Sequence, residues 1–145
     1  YRATSKTGTY SLLKTTTGTS LTNTSTTAGT QYYYYVIAVG ENGLESAKSS
    51  TVSCTCDLPR PVAKVALNSK GKPAVSWAKV DGAVKYTVYI YDADGNFIKS
   101  TSTTGLKLTH SSAAAGTTYK YRVAAVHSNT AANSAKSTTV SISSK

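Results

Sequence analysis

Few residues of this chain are of types that do chemistry, and they are widely scattered. Cys54 and Cys56 stand two positions apart, so their side chains point the same way on an extended strand. Such a pair can form a small, strained disulfide ring, pair with an absent segment, remain as two thiols or bind a metal. A metal site needs further soft ligands, and only His110 and His127 are available. We therefore predict no metal site and treat Cys54 and Cys56 as a candidate disulfide, with thiols as the alternative.

No constellation predicts catalysis. His110 follows a predicted strand and His127 lies in a predicted turn, so we expect both on the surface. The sequence has no Gly-x-Ser-x-Gly elbow and no acidic pair at a recognisable spacing. Residues 92–96 (Asp-Ala-Asp-Gly-Asn) superficially resemble a calcium loop but lack the later glycine and downstream glutamate of an EF-hand. They predict a hairpin turn instead. We expect no enzymatic activity and no cofactor.

The sequence contains a tyrosine-rich predicted strand twice, and we expect the candidate residues to be positioned by this repeated element. Residues 28–39 read AGTQYYYYVIAV and residues 115–126 read AGTTYKYRVAAV, about 87 residues apart. Successive side chains of a strand point to opposite faces. In the second copy Lys120 and Arg122 share one face, which marks it as solvated. The opposite face, which carries tyrosine, valine and alanine, is therefore predicted as the core.

The repetition predicts two domains, residues 1–57 and 58–145. A Ser-Ala-Lys-Ser motif follows each tyrosine strand, at residues 46–49 and 134–137. The second domain is complete, whereas about 30 residues that would form the first two strands are missing from the first. A sandwich without two strands exposes its inner face. We expect completion by a longer polypeptide or, alternatively, by strand complementation from another chain.

The tyrosine strand, its glycine-containing turn and the Ser-Ala-Lys-Ser segment together resemble the F and G strands of fibronectin type III domains, in their bacterial extracellular form. Residues 75–77 (Val-Ser-Trp) resemble strand B of that family, and residues 83–89 resemble strand C. The resemblance implies an all-β, immunoglobulin-like β-sandwich in two tandem modules, the first lacking strands A and B. It also implies that Tyr32 and Tyr119 form tyrosine corners, in which the hydroxyl bonds to nearby backbone.

The strands predicted for the first module are residues 1–4, 10–14, 20–23, 32–39 and 46–54. Those predicted for the second are residues 62–67, 74–79, 84–91, 106–108, 119–126 and 136–143. Two prolines in residues 57–61 predict a stiff linker between the modules. The predicted core of the second module is Val62, Val65, Leu67, Val75, Trp77, Tyr86, Val88, Ile90, Leu106, Leu108, Tyr119, Tyr121, Val123, Ala125, Val140 and Ile142.

The formal net charge is +10, and about +9 of it falls in residues 58–145. The basic residues are scattered rather than clustered, so we expect no nucleic-acid binding. Attraction to an acidic cell-wall polymer or polysaccharide is an alternative reading of the charge. No apolar run approaches the roughly 20 residues that span a membrane, so we expect no membrane insertion. A surface rich in serine and threonine suits a secreted, extracellular or cell-surface location.

The surface feature that stands out is a set of outward aromatic and basic residues on the C and F strands. Its members are Tyr33, Tyr35, Tyr89, Tyr91, Lys120 and Arg122. Sugars or proteins stack on flat rings beside hydrogen-bonding groups, although such rings can also simply stabilise an exposed sheet. We predict a non-catalytic spacer and adhesion module of a larger bacterial surface or secreted protein. Its expected partners are other domains of the same polypeptide and cell-wall polymer, polysaccharide or host protein. The alternative is an accessory carbohydrate-binding module of an extracellular polysaccharide-degrading enzyme.

Overall fold

A computed structural model describes residues 1–145, and it divides into two compact units. Unit 1 is Tyr1–Cys56 and unit 2 is Asp57–Lys145. All regular structure is antiparallel β-sheet apart from one short 3₁₀ turn at Thr130–Ala132, which confirms the predicted all-β class. The molecule contains no helix of the length and apolar character that crossing a membrane requires.

Unit 1 holds a single three-stranded sheet in the order β1-β2-β3. Its strands are β1 Arg2–Ala3, β2 Gln31–Tyr34 and β3 Val52–Thr55. The strand expected at residues 10–14 is reduced to one bridge between Arg2 and Ser11, and residues 20–23 form no strand. Serine, threonine and asparagine make up three of the four residues 20–23, so that segment brings too little apolar surface to hold a strand on the sheet.

Unit 2 is a sandwich of two sheets, with strand orders β4-β5-β8 and β10-β9-β6-β7. Its strands are β4 Ala63–Leu67, β5 Pro73–Trp77, β6 Lys85–Tyr91, β7 Phe97–Thr103, β8 Lys107–Thr109, β9 Thr118–Val126 and β10 Val140–Ser143. The predicted strands A, B, C, E and F are found within a few residues of their expected bounds, whereas the last strand starts at Val140 rather than Lys136.

The late start of the last strand follows from how the Ser-Ala-Lys-Ser motif pairs. Ser134 Oγ accepts a hydrogen bond from the Ala125 backbone N–H at 2.8 Å, and Ser137 Oγ accepts one from Val123 N–H at 2.9 Å. Each hydroxyl thus takes the place of a backbone carbonyl in the ladder. The motif in unit 1 does the same, because Ser46 and Ser49 accept from the equivalent N–H groups.

The core of unit 2 follows the alternation read from its sequence. Tyr121 and Val123 are fully buried, and the neighbouring Arg122 is half-buried on the opposite face. Two of the predicted core residues are wrong, because Val62 is 72% exposed and Leu106 is also exposed. Both lie just outside a strand, where the two-residue alternation does not yet hold.

Loop residues complete the core, and some of them belong to the segment expected to be a linker. Leu58 and Pro61 are buried within unit 2, and Leu58 N–H donates to Ala132 O at 2.8 Å. Leu58 and Pro61 therefore pack on unit 2, and the stiffness expected of residues 57–61 as a linker stays a prediction. Proline and leucine are apolar enough to pack, and this segment packs.

Both tyrosine corners are present. Thr27 N–H donates to Tyr32 Oη at 3.0 Å, and Ala114 N–H donates to Tyr119 Oη at 3.1 Å. The donor lies five residues before the tyrosine in each case. The hydroxyl therefore ties the loop that enters the strand to the strand itself, as the resemblance implied.

His110 is buried rather than on the surface as predicted. Its Nδ1 lies 3.0 Å from Tyr121 Oη, and its ring meets Tyr119 edge-on at 4.7 Å between centroids. Burial, together with the positive charges of Lys99 and Lys72, holds the pKa of His110 below its ordinary value. Burial likewise raises the pKa of the Tyr121 hydroxyl. The pair is a neutral polar bridge within the core.

Candidate partner-binding face

The outer face of the four-stranded sheet of unit 2 brings four of the predicted residues together. In the β6–β9 register Tyr89 lies opposite Arg122, and Tyr91 lies opposite Lys120. Residues directly opposite on one face of an antiparallel pair are side-chain neighbours. All four side chains are half-buried, so each presents part of its surface to solvent. The face therefore places two phenol rings on β6 beside two positive charges on β9.

Two residues that the sequence analysis did not assign to this face complete the cluster. Lys136 Nζ lies 3.9 Å from the centroid of the Tyr89 ring and donates to Tyr91 Oη at 3.2 Å. Phe97, at the start of β7, lies 5.8 Å from the Tyr91 ring and 6.5 Å from the Tyr89 ring between centroids. We call Tyr89, Tyr91, Phe97, Lys120, Arg122 and Lys136 the aromatic–basic face.

Unit 1 has a corresponding cluster, but its central ring is covered. The Tyr35 ring stacks on Tyr1 at 4.9 Å and packs against Tyr10 at 4.8 Å, with Lys48 Nζ 4.8 Å above it. Tyr35 is only 8% exposed, so the expectation that it is an outward contact residue is wrong. Tyr33 is half-buried and donates from Oη to Gln31 Oε1 at 3.0 Å.

The repeat held the signal that could have identified the missed lysine. Lys48 and Lys136 are the third residues of the two Ser-Ala-Lys-Ser motifs, and each places its ammonium over a tyrosine of its own unit. An ammonium above a ring face gains about 0.5–1 kcal/mol at an exposed site. The motif therefore combines strand pairing through its serines with a cation–π contact through its lysine.

The geometry of the aromatic–basic face limits what it can bind. The Lys136 ammonium lies over the Tyr89 ring, so a ligand that stacks on that side of the ring must displace it. Phe97 is 58% exposed and is the most open ring of the cluster. Three cations surround these rings. In the turn that follows Tyr91, the Asp92 carboxylate accepts hydrogen bonds from Gly95 and Asn96.

No protein-family model and no curated protein matches the chain, but solved structures do. The FN1-FN3 domains of chicken CNTN1 match at 21% identity and TM-score 0.52, over 85% of this chain and 44% of that one. The sixth fibronectin type III domain of human fibronectin type III domain containing protein 3 matches at 17% identity and TM-score 0.52, over 63% and 89%. This chain has a fibronectin type III-like fold.

A third match extends the likeness to a receptor. The chicken interferon gamma receptor alpha chain matches at 12% identity and TM-score 0.54, over 79% of this chain and 66% of the receptor. The chain spans 44% of the length of the CNTN1 structure. At these identities the likeness shows the fold alone. Fibronectin type III-like folds commonly serve as non-catalytic spacer or interaction modules.

The remaining candidate residues of this fibronectin type III-like chain lie away from the aromatic–basic face. Cys54 is exposed, and Cys56 Sγ donates to Thr26 Oγ1 at 3.0 Å. Disulfide formation between Cys54 and Cys56, or with another segment, stays a prediction. His127 lies in the turn after β9, where its Nδ1 accepts from Asn129 N–H.

The stretch 92–96 forms the predicted hairpin turn. Asp92 Oδ1 accepts hydrogen bonds from the Gly95 and Asn96 backbone N–H groups at 2.8 Å each. The Asn96 side chain donates to Asp92 Oδ2, and this bond holds the pKa of Asp92 below its ordinary value. The carboxylate therefore serves to close the turn.

Proposed function

We propose that the chain is a non-catalytic, extracellular module of a larger bacterial surface or secreted protein, which spaces domains and contacts a protein partner through the aromatic–basic face. The observation that carries this proposal is the cluster of the Phe97, Tyr89 and Tyr91 rings, with Lys136 in contact with the two tyrosines. These rings lie on the outer side of a sheet whose inner side already forms the core of unit 2. Aromatic residues and arginine are enriched where protein surfaces meet.

The charge of the face selects the chemistry of that partner. Lys120, Arg122 and Lys136 bring three positive charges to it, within residues 58–145, whose formal charge is about +9. An acidic protein surface with apolar side chains between its carboxylates would satisfy both the ammonium groups and the Phe97 ring. Charge complementarity of this kind speeds association and selects partners.

The proposal is tested by NMR titration of the full chain with a glutamate-rich peptide that also carries leucine. We expect shifts centred on Phe97, Tyr89 and Tyr91 that weaken as salt is raised. The variant Lys136→Gln should weaken binding several-fold. The matched control is Lys64→Gln, which removes one charge from an exposed position on β4. Equal losses in both variants would mean that only net charge matters and would refute a specific face.

The second candidate function is carbohydrate binding, and the open Phe97 ring beside two tyrosines favours it. A neutral hexasaccharide should then shift the same resonances at any salt concentration, and Phe97→Ser should abolish the effect. Tyr33, the half-buried unit 1 residue proposed with it, would have to respond as well. Binding confined to acidic polysaccharide, with steep salt dependence, would instead indicate docking on anionic polymer.

A further inference from the structure

Unit 1 exposes the face that unit 2 buries. The residues equivalent to Tyr121, Val123 and Ala125 are Tyr34, Val36 and Ala38. The three in unit 2 are fully buried beneath the sheet β4-β5-β8. In unit 1, by contrast, Val36 is 69% exposed, Ala38 is exposed and Tyr34 is only half-buried. The same core surface therefore exists twice, but it is covered only once.

The uncovered face carries a cavity of about 470 Å³. Among the residues that line it are Leu13, Leu21, Tyr32, Tyr34, Val36 and Cys54. An opening of this size with a mainly apolar lining is suited to apolar side chains from another element. In unit 2 the equivalent space is filled from β5, whose Val75 and Trp77 are buried.

The backbone of unit 1 is open at the same place. The Tyr1 and Tyr35 backbones exchange both of their hydrogen bonds, at 3.0 and 3.3 Å. The next two N–H groups on the other side, Val36 and Ala38, are taken by Ser49 and Ser46. Ile37 is thus the next residue whose N–H and C=O point toward the continuation of β1. In unit 2 the matching position, Ala124, lies opposite Thr87 of β6.

We propose that the open face of unit 1 is covered by a segment of the same polypeptide joined to Tyr1, consisting of an amphipathic β-hairpin and a strand that extends β1. The hairpin is of the kind formed by Ala63–Trp77, with apolar residues alternating along both strands and one large aromatic side chain facing inward. The extending strand pairs with residues 36–39.

Two arguments favour a joined segment over a separate chain or a second copy. The unpaired backbone at Ile37 lies directly beyond the Tyr1–Tyr35 pair. A strand that continues β1 on the N-terminal side of Tyr1 would therefore pair with Ile37 in the same register. A tethered segment also has an effective concentration in the mM range, whereas a separate one loses translational and rotational freedom on binding. A second copy would have to release its own β4–β5 hairpin, which is already packed in its unit 2.

The chain itself supplies the probe for a test. Residues 58–88 contain the equivalent hairpin and strand, so a copy of them is fused directly before Tyr1 of the full chain. Thr87 of the added copy then lies opposite Ile37. We expect amide exchange at Ile37 to slow by about 100-fold, and binding of an apolar dye to disappear. The matched control is the same fusion with Val75→Ser and Trp77→Ser in the added copy only, which should restore fast exchange.

Three further outcomes would overturn the proposal. Fast exchange at Ile37 in the unmodified fusion would show that the face does not accept such a segment. Equal protection by the free peptide of residues 58–88 at about 100 μM would assign the face to a separate chain. Slow exchange at Ile37 in the unfused protein, lost on dilution in step with dissociation of a dimer in sedimentation, would assign it to a second copy.

Discussion

Trp77 gives the sharpest test of how unit 2 is held together. Its indole is 6% exposed and meets the Tyr86 ring at 5.3 Å, and Tyr86 Oη in turn accepts a hydrogen bond from Val80 N–H. Trp77→Ala removes the whole ring from a closed core. The lost burial and the resulting cavity should lower the free energy of unfolding by about 3–5 kcal/mol.

A second variant separates the ring from its polar atom. The Trp77 Nε1–H is buried and has no hydrogen-bond partner. A buried donor of this kind costs about 1–3 kcal/mol. Trp77→Phe removes that cost together with part of the ring, so the two effects oppose each other. We expect Trp77→Phe to lower the free energy of unfolding by less than about 2 kcal/mol, well below the loss for alanine.

The assay is chemical denaturation followed by far-ultraviolet circular dichroism and by exchange of core amides, because Trp77 is the only tryptophan and its fluorescence is lost in both variants. Amides of Val88 and Val123 report on unit 2 alone. A loss below about 1 kcal/mol for Trp77→Ala would refute the placement of β5 at the centre of the core. A larger loss for phenylalanine than for alanine would refute the reasoning about Nε1.

Three other predictions follow from single contacts. Because the folded state holds the pKa of His110 below its unfolded value, only the unfolded chain takes up this proton as the pH first falls below about 6.5. The free energy of unfolding should therefore decrease from that pH downward until the lowered pKa is passed, and His110→Gln should flatten this part of the pH profile. Tyr119→Phe deletes the corner hydroxyl, which accepts a hydrogen bond from the exposed Ala114 N–H. Thermal denaturation should show a decrease of about 1 kcal/mol or less in the free energy of unfolding. A decrease above about 2 kcal/mol would mean that the hydroxyl does more than close the corner. Thiol titration of the folded, unreduced protein should find Cys54 reacting faster than the half-buried, hydrogen-bonded Cys56, and no reaction before reduction would establish the disulfide instead.

The fold of unit 2 could be predicted from sequence because the charged residues of β9 all lie on one face of the strand. Lys120 and Arg122 mark the solvent side, so the burial of Tyr121 and Val123 follows from alternation alone. The tyrosine corners at Tyr32 and Tyr119 were expected only from the resemblance to fibronectin type III domains. In unit 1 the corresponding strand carries four successive tyrosines, and tyrosine suits either face.

The wrong or missed placements concern side chains whose burial is decided by contacts with residues distant in the sequence. Tyr35 is buried by Tyr1 and Tyr10, which reach it from segments that no local pattern connects to the strand. His110 looked like a surface residue because a lone histidine in a loop usually is one, and its partner Tyr121 lies on another strand. Lys136 joins the aromatic–basic face through a side chain that crosses from the segment preceding β10.

The paired serines of the two Ser-Ala-Lys-Ser motifs have a practical consequence. Ser137 is fully buried, whereas Ser49 is exposed to solvent. Both hydroxyls nevertheless accept a hydrogen bond of 2.9 Å from equivalent backbone N–H groups, those of Val123 and Val36. Replacing each by alanine compares one hydroxyl in a dry and a wet setting within a single molecule. We expect Ser137→Ala to lower the free energy of unfolding clearly more than Ser49→Ala does. Water can replace the hydroxyl at residue 49 but has no access at residue 137. The duplicated motif thus provides an internal reference for what enclosure adds to a hydrogen bond.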